Sequence, residues 1–209
     1  MKLDIISDPI CPWCYIGKTL LTRALAERPD HPFDLEFHPF QLNPDMPPGG
    51  MDRREYLKHK FGGQDGAMKA YAPIVERAEA EGIEIDFGAI KRTPNTLDAH
   101  RMIHWAGIEG RQLPMVMALF RAYFNEGRDI GNHEVLADIA DGLEMDAAVI
   151  LRLLQSPSDK DFIRDRDAQF REMGVTGVPT FIVDGQQAVP GCQPTELWLK
   201  VIDEIRRAG

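Results

Sequence analysis

Cys11-Pro12-Trp13-Cys14 constrains this chain more than any other stretch. A short apolar segment, Leu3 to Ser7, runs up to the pair, and Ile16 and Leu20–Leu21 follow it at helical spacing. That pattern predicts a strand-to-helix junction, with Cys11 at or near the N-cap and Pro12 in the first helical position, where proline fits best. The free N–H groups and positive partial charge of a helix N-terminus favour a thiolate over a thiol. Cys11 is therefore expected to be an exposed thiol of lowered pKa. Cys14 lies one turn along, shielded and close enough to close a small disulfide ring. An exposed thiolate with a resolving partner beside it suits thiol–disulfide exchange.

The rest of the composition narrows the setting. With 209 residues, 44% of them hydrophobic, the chain can bury a substantial core as one domain, or as one domain with a large insertion. It has three cysteines, Cys11, Cys14 and Cys192, too few and too unevenly spaced for a secreted disulfide scaffold. Strand-like sequence begins at Lys2, which leaves no room for a signal peptide, so the cytoplasm is the expected location. No apolar run approaches the ~20 residues of a membrane span. The net charge is −9 and no basic stripe is interleaved with aromatics, which argues against nucleic acid and anionic membranes as partners.

Along the chain, the helix after the cysteines is expected to run to about Glu27. Phe33, Leu35 and Phe37 then alternate with polar residues in the period of a strand. Asn43 to Gly50 is a proline- and glycine-rich connection. From Asp52 to about Gln155 the pattern is helical. Start signals stand at Asp52 with Glu55, Asn95 with Asp98, Asn132 and Asp146, and stop signals at Gly82, Gly107, Gly127 and Gly142. Ile83–Phe87 reads as a short extended piece within this region. Ser158 to Met173 is a further helix. Thr180–Val183 and Gln187–Val189 form a hairpin about Asp184-Gly185, and a final helix starts at Pro194.

Two signals at opposite ends of the chain, CPWCYIGK and Gly174-Val-Thr-Gly-Val-Pro-Thr-Phe, form a specific combination. With Asp8, Pro39-Phe-Gln-Leu-Asn43-Pro44, Asn95-Thr96, Ala99-His100-Arg101, Leu119 to Phe124 and Gly191 to Leu197, the sequence resembles the thioredoxin-fold DsbA family. More narrowly it resembles the cytoplasmic FrnE-like branch, related to 2-hydroxychromene-2-carboxylate isomerases and kappa-class glutathione transferases. The resemblance implies a thioredoxin-like α/β domain from about residues 1–44 and 157–209, with an all-helical insertion at about 45–156 forming a lid over the site. It implies a protein disulfide oxidoreductase or isomerase acting on protein or small-molecule thiols. Cys11 would be the nucleophile and Cys14 the resolving thiol. Pro12, Trp13, Val178 and a cis Pro179 would dock substrate. No metal or dissociable cofactor is implied, and glutathione is the candidate co-substrate.

Departures from the family pattern matter. Ile5 occupies the position of the buried carboxylate that thioredoxins carry six residues before the first cysteine, and Asp8 is the nearest substitute. Trp13 replaces the histidine of periplasmic DsbA proteins, which argues for a less extreme oxidant. The isomerase and transferase relatives typically have serine where this chain has Cys11. The alternative function is a glutathione-dependent isomerase or transferase acting on an aromatic or polyketide-like small molecule.

Ordinary explanations stand beside the sharper ones. Zinc needs four ligands, and no second close cysteine pair exists. Asn95 has a sufficient role as a helix cap. Met115, Met117, Phe120, Tyr123 and Phe124 read chiefly as core. His38 ends a strand as a structural residue. His100 and His104 share a helix face, and His100 is a candidate modulator near the cleft. Asp8 is either a turn former before Pro9 or a modulator of Cys11. Cys192 is either a small buried filler or an accessory thiol near Cys11.

Overall fold

The computed structural model describes residues 1–208. The first strand, β1 (Lys2–Ser7), is followed by α1 (Pro12–Glu27) and by β2 (Asp34–Pro39), which pairs parallel with β1. The hairpin β5 (Thr180–Val183) and β6 (Gln187–Pro190) comes from the other end of the chain, and β5 pairs antiparallel with β1. The sheet order is β2-β1-β5-β6. Asp184 and Gly185, in the three-residue turn between β5 and β6, both have positive φ, 51° and 69°.

Alternation along β1 sorts the two faces. Leu3 and Ile5 join one apolar cluster with Leu20 of α1 and with Trp198 and Ile202 of α9 (Thr195–Ala208). Ile6 joins a smaller one on the opposite face, with Phe40, Ile182 and Phe170 of α8 (Lys160–Glu172). The sheet is thus a middle layer between α1 and α9 on one side and α8 on the other.

Between β2 and α8 the chain forms α2 (Arg53–Phe61), α3 (Gln64–Ala80), α4 (Leu97–Ile108), α5 (Gln112–Phe124), α6 (His133–Asp141) and α7 (Ala147–Gln155). Asp52, Asn132 and Asp146 cap α2, α6 and α7, each accepting from two backbone N–H groups of the first turn. Asn95 accepts from Leu97 N at 3.0 Å although the helical dihedrals begin one residue later.

Three expectations fail here. Ile83–Phe87 is irregular rather than extended, and this part of the chain is not wholly helical. A two-residue antiparallel ribbon joins β3 (Met51–Asp52) to β4 (Arg92–Thr93). Gly107 does not stop α4, which ends at the Gly110 turn, φ +71°. The glycine instead makes space: a Cβ there would lie 3.2 Å from Gln112 Nε2. Gln112 uses that space to reach the outer edge of β2. Its Oε1 accepts from Phe37 N at 2.7 Å and its Nε2 donates to Phe37 O at 3.1 Å.

Candidate active site

Cys11 caps α1 with extended backbone, φ −88° and ψ 114°, and its side chain makes no capping bond. Pro12 opens the helix, and Tyr15 N donates to Cys11 O at 3.2 Å. The sulfur is left for another contact. Cys11 Sγ lies 3.5 Å from the carbonyl oxygen of Val178, and the Val178–Pro179 bond is cis. The two motifs from opposite ends of the sequence therefore meet.

All three cysteines are free thiols. Cys14 is 1% exposed and faces the Ser7 hydroxyl and the backbone N–H of Asp8; burial, reinforced by Cys11, holds its thiol well above the usual range. Cys11 is not the exposed residue expected from its position, being only 4% accessible. The Val178 carbonyl lies against it, while Pro12 and Trp13 are half-buried and Trp13 packs on the core.

Asp8 lies beneath the pair and is fully buried. It accepts from Leu42 N at 2.8 Å and from Ile10 N at 3.4 Å, with the Thr96 hydroxyl as a third partner. Burial outweighs these bonds and pushes its carboxyl up to about 7. His100, also buried, sits behind it rather than in the cleft, with Nε2 3.8 Å from Asp8 Oδ1. Among the described residues that nitrogen has no hydrogen-bond partner, while the ring bonds to the Phe40 backbone; burial pushes the imidazole down to about 3.

Cys192 lies at the same corner, where a Cβ on Gly17 would approach Pro179 Cγ at 3.2 Å and Cys192 Cα at 3.5 Å. Cys192 is only half-buried, and burial raises its thiol to about 11. Beside the corner runs a cleft of about 600 Å³, lined by Val175, Val178, Pro179, Ile182 and Ala188. Met115, Phe120, Tyr123 and Phe124 are core residues, each at most 1% exposed. The His104 ring is tilted against that of Phe162, with 4.6 Å between centroids.

Other ionisable groups were less visible in the sequence. Lys18 is buried along α1, and desolvation, then the charge of Arg121, pushes its amine down to about 8. A lysine inside the stripe Ile16, Leu20, Leu21 was the available signal. Among the described residues one group of carboxylates and histidine is close enough to hold a metal: Asp4, Glu36 and His38. It contains no cysteine, and Lys2 Nζ already lies 2.9 Å from Asp4 and 2.8 Å from Glu36. None of the described helices is long and apolar enough to cross a membrane.

The family model for the DSBA-like thioredoxin domain matches residues 2–203. The uncharacterized protein YwbO of Bacillus subtilis is 25% identical over 99% of this chain and 98% of its own length. The crystal structure of the probable DsbA oxidoreductase SCO1869 from Streptomyces coelicolor superposes with a TM-score of 0.85 at 29% identity, covering 98% of this chain and 89% of that one. The cytosolic disulfide reductase DsbM of Pseudomonas aeruginosa shares the fold over the full length of both chains, with a TM-score of 0.72 at 20% identity, and a second structure of it contains GSH. A cysteine pair at a helix start, a cis proline facing it and a match along nearly the whole sequence agree: the chain belongs to the DsbA-like thioredoxin domain family.

Proposed function

We propose that this chain catalyses thiol–disulfide exchange in the cytoplasm, with Cys11 as nucleophile and Cys14 as resolving thiol. The observation that carries the reading is the 3.5 Å contact between Cys11 Sγ and the Val178 carbonyl, above a fully enclosed Cys14. In the reductive direction the Cys11 thiolate attacks one sulfur of a substrate disulfide, that S–S bond breaks, and the departing thiolate takes up a proton. Cys14, losing its proton, then attacks Cys11 Sγ. The mixed disulfide opens, the second substrate thiol leaves, and the Cys11–Cys14 disulfide retains the oxidising equivalent. Two glutathione thiols would restore the dithiol and leave as glutathione disulfide. The named activity and GSH-bound form of DsbM support that choice of reductant. The cleft beside Pro179 would hold the extended segment flanking the substrate cysteine.

Insulin reduction with glutathione tests this directly. Cys11→Ser is expected to abolish turnover. Cys14→Ser is expected to accumulate a mixed disulfide on Cys11, visible as a mass increase reversed by dithiothreitol. Turnover surviving Cys11→Ser would overturn the reading. Turnover of an aromatic isomerisation substrate that needs glutathione but not Cys14 would favour the isomerase alternative.

A further inference from the structure

A second concave surface lies on the helical side of the molecule. Helices α2 and α3 enclose a groove of about 1000 Å³, walled by Leu57, Met68, Tyr71, Val75 and Phe87. Met68 is 64% exposed and Val75 37%, so the apolar wall is open to solvent. The rim carries charge of one predominant sign. α2 holds Arg53, Arg54, Lys58 and Lys60 against the single carboxylate Glu55, in a chain whose net charge is −9. Arg53, Arg54 and Lys58 line the groove, and none of the three has an ionic partner among the described residues; Glu76 lies at the α3 side. Arg53 bonds only to neutral groups, the Tyr71 hydroxyl at 2.6 Å and the Thr93 hydroxyl at 3.1 Å, and stacks 5.5 Å over the Tyr56 and Tyr71 rings.

The groove connects to the cysteine helix through packed rings. Tyr15, the residue after Cys14, stacks on Phe124 at 5.7 Å. Phe124 meets Phe87 at 6.3 Å, and Phe87 meets Tyr71 at 4.7 Å.

We infer that this groove docks the non-reacting part of a small disulfide substrate that carries carboxylate on an apolar body. The inference rests on the thiol–disulfide exchange proposed above. The chemistry is complementary on both counts: the walls bury an apolar group, and the unpaired guanidinium and ammonium groups attract an anion. The size selects a small molecule over a protein surface. About 1000 Å³ is the scale of a ligand pocket, and a single helical hairpin is narrow for the ~1,600 Å² of a standard protein interface.

The test compares two aromatic disulfides, the dicarboxylate dithiobis-nitrobenzoate and the uncharged dithiodipyridine, reacting with the reduced full-length protein in stopped flow. The readout is the ratio of their second-order rate constants, in which changes in folded fraction or in Cys11 reactivity cancel. Arg54→Gln with Lys58→Gln, both at exposed positions, is expected to lower the dicarboxylate-to-neutral ratio by roughly threefold to tenfold. Met68→Glu is expected to lower it as well, and added salt to shrink the wild-type preference. A ratio that moves in neither variant overturns the docking surface while leaving the exchange chemistry standing. Failure of both disulfides to react at Cys11 would instead remove the exchange reading on which the groove depends.

Discussion

Asp8 and His100 leave water together, and their titrations oppose each other. Asp8 is raised from 3.8 to about 7 in the fold, so its stabilising effect is fully present below its unfolded value and is lost as pH rises toward 7. His100 is lowered from 6.5 to about 3, so its contribution is present above its unfolded value and is lost as pH falls toward 3. Between about pH 4 and 6.5, folding gives Asp8 a proton and takes one from His100, and the net proton exchange is close to zero. Urea midpoints of the wild type are therefore expected to stay nearly flat across that window from these two residues. Asp8→Asn leaves His100 alone and should make stability rise with pH; His100→Gln leaves Asp8 alone and should make it fall. Each slope is expected to reach at most about 1.4 kcal/mol per pH unit. Two variants with slopes of the same sign would refute the pairing. Asp8 was visible in the sequence as a carboxylate three residues before Cys11, and His100 as a histidine on a helix. Their approach was not visible, because it depends on how α4 packs behind the turn that carries the cysteines.

At the scale of elements, local signals were the legible ones. Asp52, Asn132 and Asp146 could be read as caps because the bonds they make run two and three residues ahead. Gly107 misled because its role is a distant contact with a side chain, which short-range patterns cannot encode. Arg101 shows the same limit on a larger scale. The side chain, wholly buried on α4, reaches the turn after α7 and donates to the carbonyls of Leu153, Leu154, Ser156 and Ser158. It also pairs with Asp98 at 2.6 Å and covers Trp105. One guanidinium thus satisfies a helix C-terminus and ties two helices together. Arg101→Met would strand those carbonyls and leave Asp98 with His133 alone, with an expected loss of about 3–5 kcal/mol measured by chemical denaturation. Arg101→Lys should recover only part of that, since one ammonium cannot replace a planar fork. A Met variant within 1 kcal/mol or so of wild type would show that water replaces these bonds.

Across the whole molecule, the four strands of the main sheet and the meeting of CPWC with Val178–Pro179 were legible, because family motifs and alternating periods mark them, whereas the β3–β4 ribbon was not. The extent of the core was not. One cluster runs from Leu3 and Ile5 of the sheet through Tyr15 to Phe120, Leu136 and Leu154, so the helices between β2 and α8 share their interior with the sheet. The docking groove was equally hidden, although the cations of α2 stood in plain view. The Gln112 side chain has a consequence of another kind. β2 lies at the margin of the sheet, where unpaired backbone groups invite a strand from a second molecule. Gln112 offers Phe37 one acceptor and one donor, the same pair a neighbouring strand would supply, and so closes that margin with a single amide. Gln112→Ala would reopen it. Light scattering during concentration or heating should show the variant associating earlier than wild type, while its exchange activity, measured when dilute, stays unchanged. The amide of Gln112 would then be what keeps neighbouring copies of the chain from joining edge to edge.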